Sequence, residues 1–251
     1  MTSEPEIVEE SKPGSFFSNL SGVYFSPGET FKGFTSRVGL LAPAIGLVLL
    51  GAVIGYLIFS RVDFTQIITP AIEAAVEKGQ IAKEQAPNMI AMQAKFAKYG
   101  SLVGGLLGNI IFGLIIAGVF KLVSMVLSKE NTFRSLLAVT WYSQLAVGII
   151  SSILFAVVMF IKGSDFDIQN PIGSNLGAVL GMMFDKDALP KFVWSLAKSI
   201  DVFYIWMIAL LSIGYAAVSR KMKTSTAAGA LIVLYLGLSV LGAVFAQFSG
   251  R

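Results

Sequence analysis

The 251-residue chain is 55% hydrophobic and only 14% charged, with a formal net charge of +4 and a mean hydropathy of +0.75, where an ordinary soluble domain carries roughly 25% charged residues. This composition belongs to integral membrane proteins. The chain has no cysteine and no histidine, which excludes disulfides, thiol and imidazole chemistry, and Cys or His metal ligation. The positive charges flank apolar runs instead of lining one face, which argues against a nucleic-acid-binding surface.

Residues 1–14 carry Glu4, Glu6, Glu9 and Glu10 with little that could pack, and a disordered acidic tail is expected there. No basic start followed by an apolar run marks a cleavable signal, so the first span is expected to act as its own insertion signal. From 15 to 37 the chain is aromatic and basic: Phe16, Phe17, Leu20, Val23, Tyr24, Phe25, Phe31 and Phe34 surround Ser26-Pro27-Gly28-Glu29-Thr30. Ser26 can cap a helix that Pro27 begins, with Glu29 in its first turn where the helix dipole favours an acid. The segment reads as a cytoplasmic juxtamembrane amphipathic element lying on the membrane surface, with a packed loop as the alternative.

Five uncharged runs follow, at 38–60, 99–120, 135–161, 202–219 and 224–250. Each is near or above the roughly 18 residues a membrane crossing needs. They give five spans near 38–60, 99–120, 135–161, 200–219 and 224–249 within one membrane domain, 38–250. Pro43 is tolerable close to the start of the first. The segment between Arg61 and Lys98 reads as two helices, Pro70 to about Lys78 and Pro87 to Lys98, broken at Gly79. In the segment between Lys162 and Ile200, Pro190 is expected to begin a helix that continues into the fourth span. Dense positive charge at Lys32 and Arg37, at Lys129 and Arg134, and at Arg220, Lys221 and Lys223 places the N-terminus and both tight links in the cytoplasm. With five spans the C-terminus and the two long loops then lie outside.

Few residues could carry chemistry. Asn109 sits mid-span, and a polar amide in lipid should face the bundle, reading foremost as an interhelical hydrogen bond. Gln144, with Trp141 and Tyr142, reads as interfacial anchoring and helix packing. Lys121 can snorkel to the headgroups. Asp201, three residues beyond Lys198, reads as an exposed helix pair and anchor. Gly51 and Gly55, and Gly104 and Gly108, form GxxxG pairs that would let helices approach closely. No catalytic residue, cofactor site or metal site is expected.

The chain resembles the Yip family (Ypt-interacting proteins), and is most similar to its short bacterial members. The resemblance rests on Phe25-Ser26-Pro27-Gly28-Glu29-Thr30-Phe31, on Thr132-Phe133-Arg134-Ser135-Leu136-Leu137 with Trp141-Tyr142-Ser143, and on Asn170-Pro171 with Ser174-Asn175-Leu176-Gly177. Asp201-Val202-Phe203 with Ile205-Trp206, Leu210-Leu211-Ser212-Ile213-Gly214 and Ala227-Ala228 complete it. Gln144-Leu145-Ala146 stands where family members often have a proline. The resemblance implies an all-α integral membrane protein, a bundle of five transmembrane helices with a helical extracytoplasmic loop, in the bacterial cytoplasmic (inner) membrane. It implies a non-catalytic role organising membrane or partner proteins, in contact with the lipid bilayer, with membrane protein partners and homo-oligomer formation both open. The long N-terminal region through which eukaryotic members act in Rab-type GTPase binding and vesicle traffic has no counterpart. A small transporter or channel is the alternative reading.

Overall fold

A computed structural model describes residues 14–34, 38–163, 166–168, 171–185 and 188–248. The acidic tail up to residue 13, Arg37, Asp165, Asn170 and Asp187 lie outside the described residues. The described chain is helical: α1 (Phe16–Phe25), α2 (Pro27–Lys32), α3 (Leu41–Arg61), α4 (Phe64–Glu77), α5 (Ala86–Val126), α6 (Phe133–Lys162), α7 (Leu176–Met183), α8 (Lys191–Ser199), α9 (Val202–Val218) and α10 (Thr224–Phe248). Among the described residues, four of these are long and apolar enough to cross a membrane: α3, α5, α6 and α10. The fifth expected span, α9, is apolar throughout but only 17 residues long, about 25 Å of helix.

The bundle is built around the first half of α6. Thr132 caps it by accepting from the amide of Ser135, and every residue from Ser135 to Val147 is buried. A helix buried on all sides needs neighbours all round, and α1, α3, α5 and α9 supply them. The outer faces of α5 and α10 remain apolar and exposed, as at Val103, Ile111, Leu122, Val233 and Phe245, which is the surface a bilayer solvates.

Helix α3 packs most extensively on α5. A Cβ on Gly51 would collide with the carbonyl oxygen of Gly105, one on Gly105 would collide with that of Gly51, and one on Gly55 would stand 2.7 Å from the carbonyl oxygen of Ser101. The Gly51–Gly55 pair therefore serves a close crossing within the chain. The second expected pair does not: Gly104 and Gly108 face open space, and the residue used on α5 is Gly105 between them.

Four local expectations are corrected. Pro70 lies inside α4 instead of starting it, because Asp63 Oδ1 accepts from the amides of Thr65 and Gln66 at 2.9 and 3.4 Å and so opens the helix earlier, at Phe64. The break at Gly79 is present, with φ +68°. Helix α5 runs unbroken from Ala86 past Lys121 to Val126. Lys121 does not reach out to headgroups, since its ammonium donates to the carbonyl of Asn131 at 2.6 Å and to its Oδ1 at 3.1 Å. Helix α8 does not continue into α9. Ile200 and Asp201 leave helical geometry, with Asp201 extended at φ −123°, ψ 139°, and pair with the strand-like Ser174–Asn175 segment through Leu176 N–H to Ile200 O (2.9 Å) and Val202 N–H to Ser174 O (3.2 Å).

Gly105→Val is expected to destabilise the protein by about 1–3 kcal/mol or more, since it overpacks backbone against backbone. Gly104→Val and Gly108→Val should each stay within about 0.5 kcal/mol. Thermal unfolding of the three variants in mild detergent distinguishes them.

Candidate functional site

The sequence-predicted positions are dispersed. Asn109 faces α3, its amide nitrogen beside Gly51, with no side-chain hydrogen bond among the described residues. Gln144 is 6% exposed and Trp141 7% exposed; both lean over Gly113 of α5, where a Cβ would meet Gln144 Oε1 and Trp141 Nε1 at 2.5 Å. Trp141, Tyr142 and Gln144 thus pack in the core and do not anchor at an interface. Asp201 is a structural cap: its Oδ1 accepts from the amides of Phe203 (2.8 Å) and Tyr204 (3.4 Å), and its Oδ2 accepts from the hydroxyl of Ser174. Its carboxylate partners are therefore these groups and not Lys198. The structure brings none of Asn109, Gln144 and Asp201 together.

What the structure does bring together is the N-terminal segment and α6. Arg134, in the first turn of α6, donates from Nε and Nη2 to the carbonyl of Val38 at 3.1 and 2.9 Å. That clamp fixes the chain before α3. Upstream, Phe34 packs its ring on Tyr142 with centroids 4.9 Å apart. Phe31, fully buried, stands with Val139 in the space a Cβ on Gly214 would occupy. Ser26 turns the chain: its amide closes α1 on Gly22 O at 2.8 Å, and its carbonyl accepts from the amide and the hydroxyl of Thr30. The expected Ser26 side-chain cap is absent, though Pro27 and Glu29 take their expected places in the first turn of α2. Thr30 fills the space beside Gly22, so α1 and α2 lock into a hairpin.

The hairpin reaches far along the bundle. Tyr24 donates from its hydroxyl to the carbonyl of Ala146 at 2.7 Å, and its ring lies 6.1 Å from that of Trp206. Ala146 is thirteen residues into α6, about 20 Å from its start. Burial raises the Tyr24 pKa, so the phenol stays a neutral donor. The opposite face of α1 is bare: Phe17 is 78% and Phe25 87% exposed, while Val23 between them is fully buried.

A polar seam closes the same end of the bundle. Asn131 Oδ1 accepts from Lys121 and from Ser124 Oγ (3.3 Å), and its amide donates to Ser219 Oγ at 3.0 Å. Arg220 N–H donates to Glu130 O at 2.8 Å, and Arg220 Nη1 pairs with Glu130 Oε2 at 3.2 Å. Deeper in, Thr140 and Tyr215 share a 2.7 Å hydrogen bond, and Phe120 stacks on Tyr215 with centroids 4.0 Å apart. Sequence reading missed Asn131 and took Arg134 as a topological charge and as part of a family-like segment, without a hydrogen-bonding role. An Asn-Thr pair just before a span, with an Arg two residues inside it, is the signal that marks a capped and clamped helix start. Trp141 Nε1, Ser143 Oγ and Gln144 Oε1 remain buried without a hydrogen-bond partner among the described residues.

Arg134→Ala should lower stability by about 1.5–3 kcal/mol, because it removes a charge-assisted pair of hydrogen bonds. Gln144→Met should be neutral or stabilising, since it removes an unpaired buried acceptor at similar volume. Thermal unfolding in detergent reads both.

A family model described as the Yip1 domain matches residues 21–246. Comparison with curated proteins gives no match, and comparison with solved structures gives none.

Proposed function

The chain belongs to the Yip1 domain family, and from that premise we propose that this multi-pass membrane protein is non-catalytic and organises membrane or partner proteins through the exposed face of its α1–α2 hairpin. The observation that carries the reading is the contrast within α1: Val23 is fully buried while Phe17 and Phe25 stand bare. Two exposed aromatic side chains on a clamped hairpin form a contact surface with a pre-organised backbone, which lowers the ordering cost when a partner helix or an acyl layer covers it.

In this reading α9 is the fifth span. It is apolar throughout, and its neighbours α6 and α10 are both long enough to cross. The basic links beside Asn131 and Arg220 lie in the cytoplasm with the N-terminus, the C-terminus lies outside, and the membrane is the bacterial inner membrane.

Phe17→Ala with Phe25→Ala should leave thermal stability within about 0.5 kcal/mol, as for exposed positions generally. The same pair should reduce several-fold the proteins that copurify with the full chain from mild detergent. Unchanged copurification would remove the hairpin from this role. A reporter fused after Arg251 should read extracytoplasmic, and a cytoplasmic signal would refute the five-span count.

A further inference from the structure

The far end of the bundle holds a cleft of about 1010 Å³ that the organising role does not use. It opens between the end of α3, the first turns of α4, and the end of α6. Helices α3 and α6 stay apolar up to Arg61 and Lys162, so the cleft lies where hydrocarbon gives way to headgroups. Helix α4 packs on α5 and lines one side of the cleft.

Its lining has two characters. Ile67, Ala71, Ala74 and Phe166 give an apolar wall. Arg61, Asp63 and Asp167 give charge of both signs. The Arg61 guanidinium stands 4.6 Å over the ring of Phe160 and lies in no ion pair or hydrogen bond among the described residues. Five N–H donors beside an aromatic face suit a phosphate. A simple anion, however, would also meet the Asp63 carboxylate, and a simple cation would meet the guanidinium. A headgroup that carries both signs satisfies the set, and the apolar wall accommodates a chain attached to it.

We infer that this cleft binds a zwitterionic phospholipid, its phosphate on Arg61, its ammonium toward Asp63, and an acyl chain along α4. This site is independent of the hairpin proposed above and stands or falls without it.

The test is native mass spectrometry of the full chain in mild detergent, titrated with phosphatidylethanolamine or with phosphatidylglycerol. The chain should retain phosphatidylethanolamine in preference. Arg61→Gln should weaken that retention about tenfold, the loss of one charge-assisted contact. Ala71→Trp, at an exposed position, should occlude the cleft and abolish the preference with the melting temperature kept. Equal retention of the two lipids, or unchanged retention in both variants, would mean annular lipid only and would overturn the site. Soluble phosphoethanolamine competing as well as lysophosphatidylethanolamine would show that the apolar wall contributes nothing, and would overturn the lipid assignment.

Discussion

Complete burial of the first half of α6, from Ser135 to Val147, is the constraint on which the remaining architecture depends. A membrane helix ordinarily leaves one face to lipid, and lipid is as apolar as leucine, so burial by itself drives little association. Close packing has to do that work, and the neighbours of α6 are shaped for it. Gly113 on α5 receives Trp141 and Gln144, Gly214 on α9 receives Val139, and Gly46 on α3 receives Leu145. The side left over is closed by the N-terminal hairpin, through Phe34 on Tyr142 and Tyr24 on the Ala146 carbonyl.

This arrangement explains why polar groups concentrate on α6. Thr140 finds Tyr215 across on α9, while Ser135 finds Thr132, the cap of its own helix. An interhelical hydrogen bond such as Thr140–Tyr215 contributes about 0.6 kcal/mol in membranes, so it serves chiefly to fix register between helices that apolar contact would leave free to slide. The clamp from Arg134 to Val38 and the bridge from Arg220 to Glu130 do the same at the helix ends. At the opposite end Asp201 caps α9 and holds the Ser174 segment beside it.

The long apolar helices were legible in sequence because twenty uncharged residues in a row have few other uses. The break at Gly79 was legible from that residue's own conformational freedom, whereas one small-residue pattern named both Gly51 and Gly55, which pack closely, and Gly104 and Gly108, which face open space. The failures share one cause. Asp201 was read by its spacing from Lys198, Lys121 by its place at the end of an uncharged run, and Gly104 and Gly108 by their pattern. In each case a partner distant in sequence decides: Ser174 for Asp201, and Gly51 for the choice of Gly105. Lys121 is decided by Asn131, ten residues on across a turn. Likewise the aromatic run from Phe16 to Phe34 shows that a surface exists to be covered, but not that α6 and α9 cover part of it.

The encasement of α6 therefore depends on the hairpin lying within the bundle, and the absence of cysteine from the sequence makes that directly measurable. A Cβ on Gly28 would stand 3.9 Å from Cγ2 of Ile213, which brings the two Cβ atoms close to the separation a disulfide spans. In membranes containing the full chain with Gly28→Cys and Ile213→Cys, mild oxidation should form an intramolecular crosslink between α2 and α9 in most molecules. If the pair stays reduced while both thiols react freely with maleimide, the N-terminal segment lies elsewhere and the encased α6 described above is wrong.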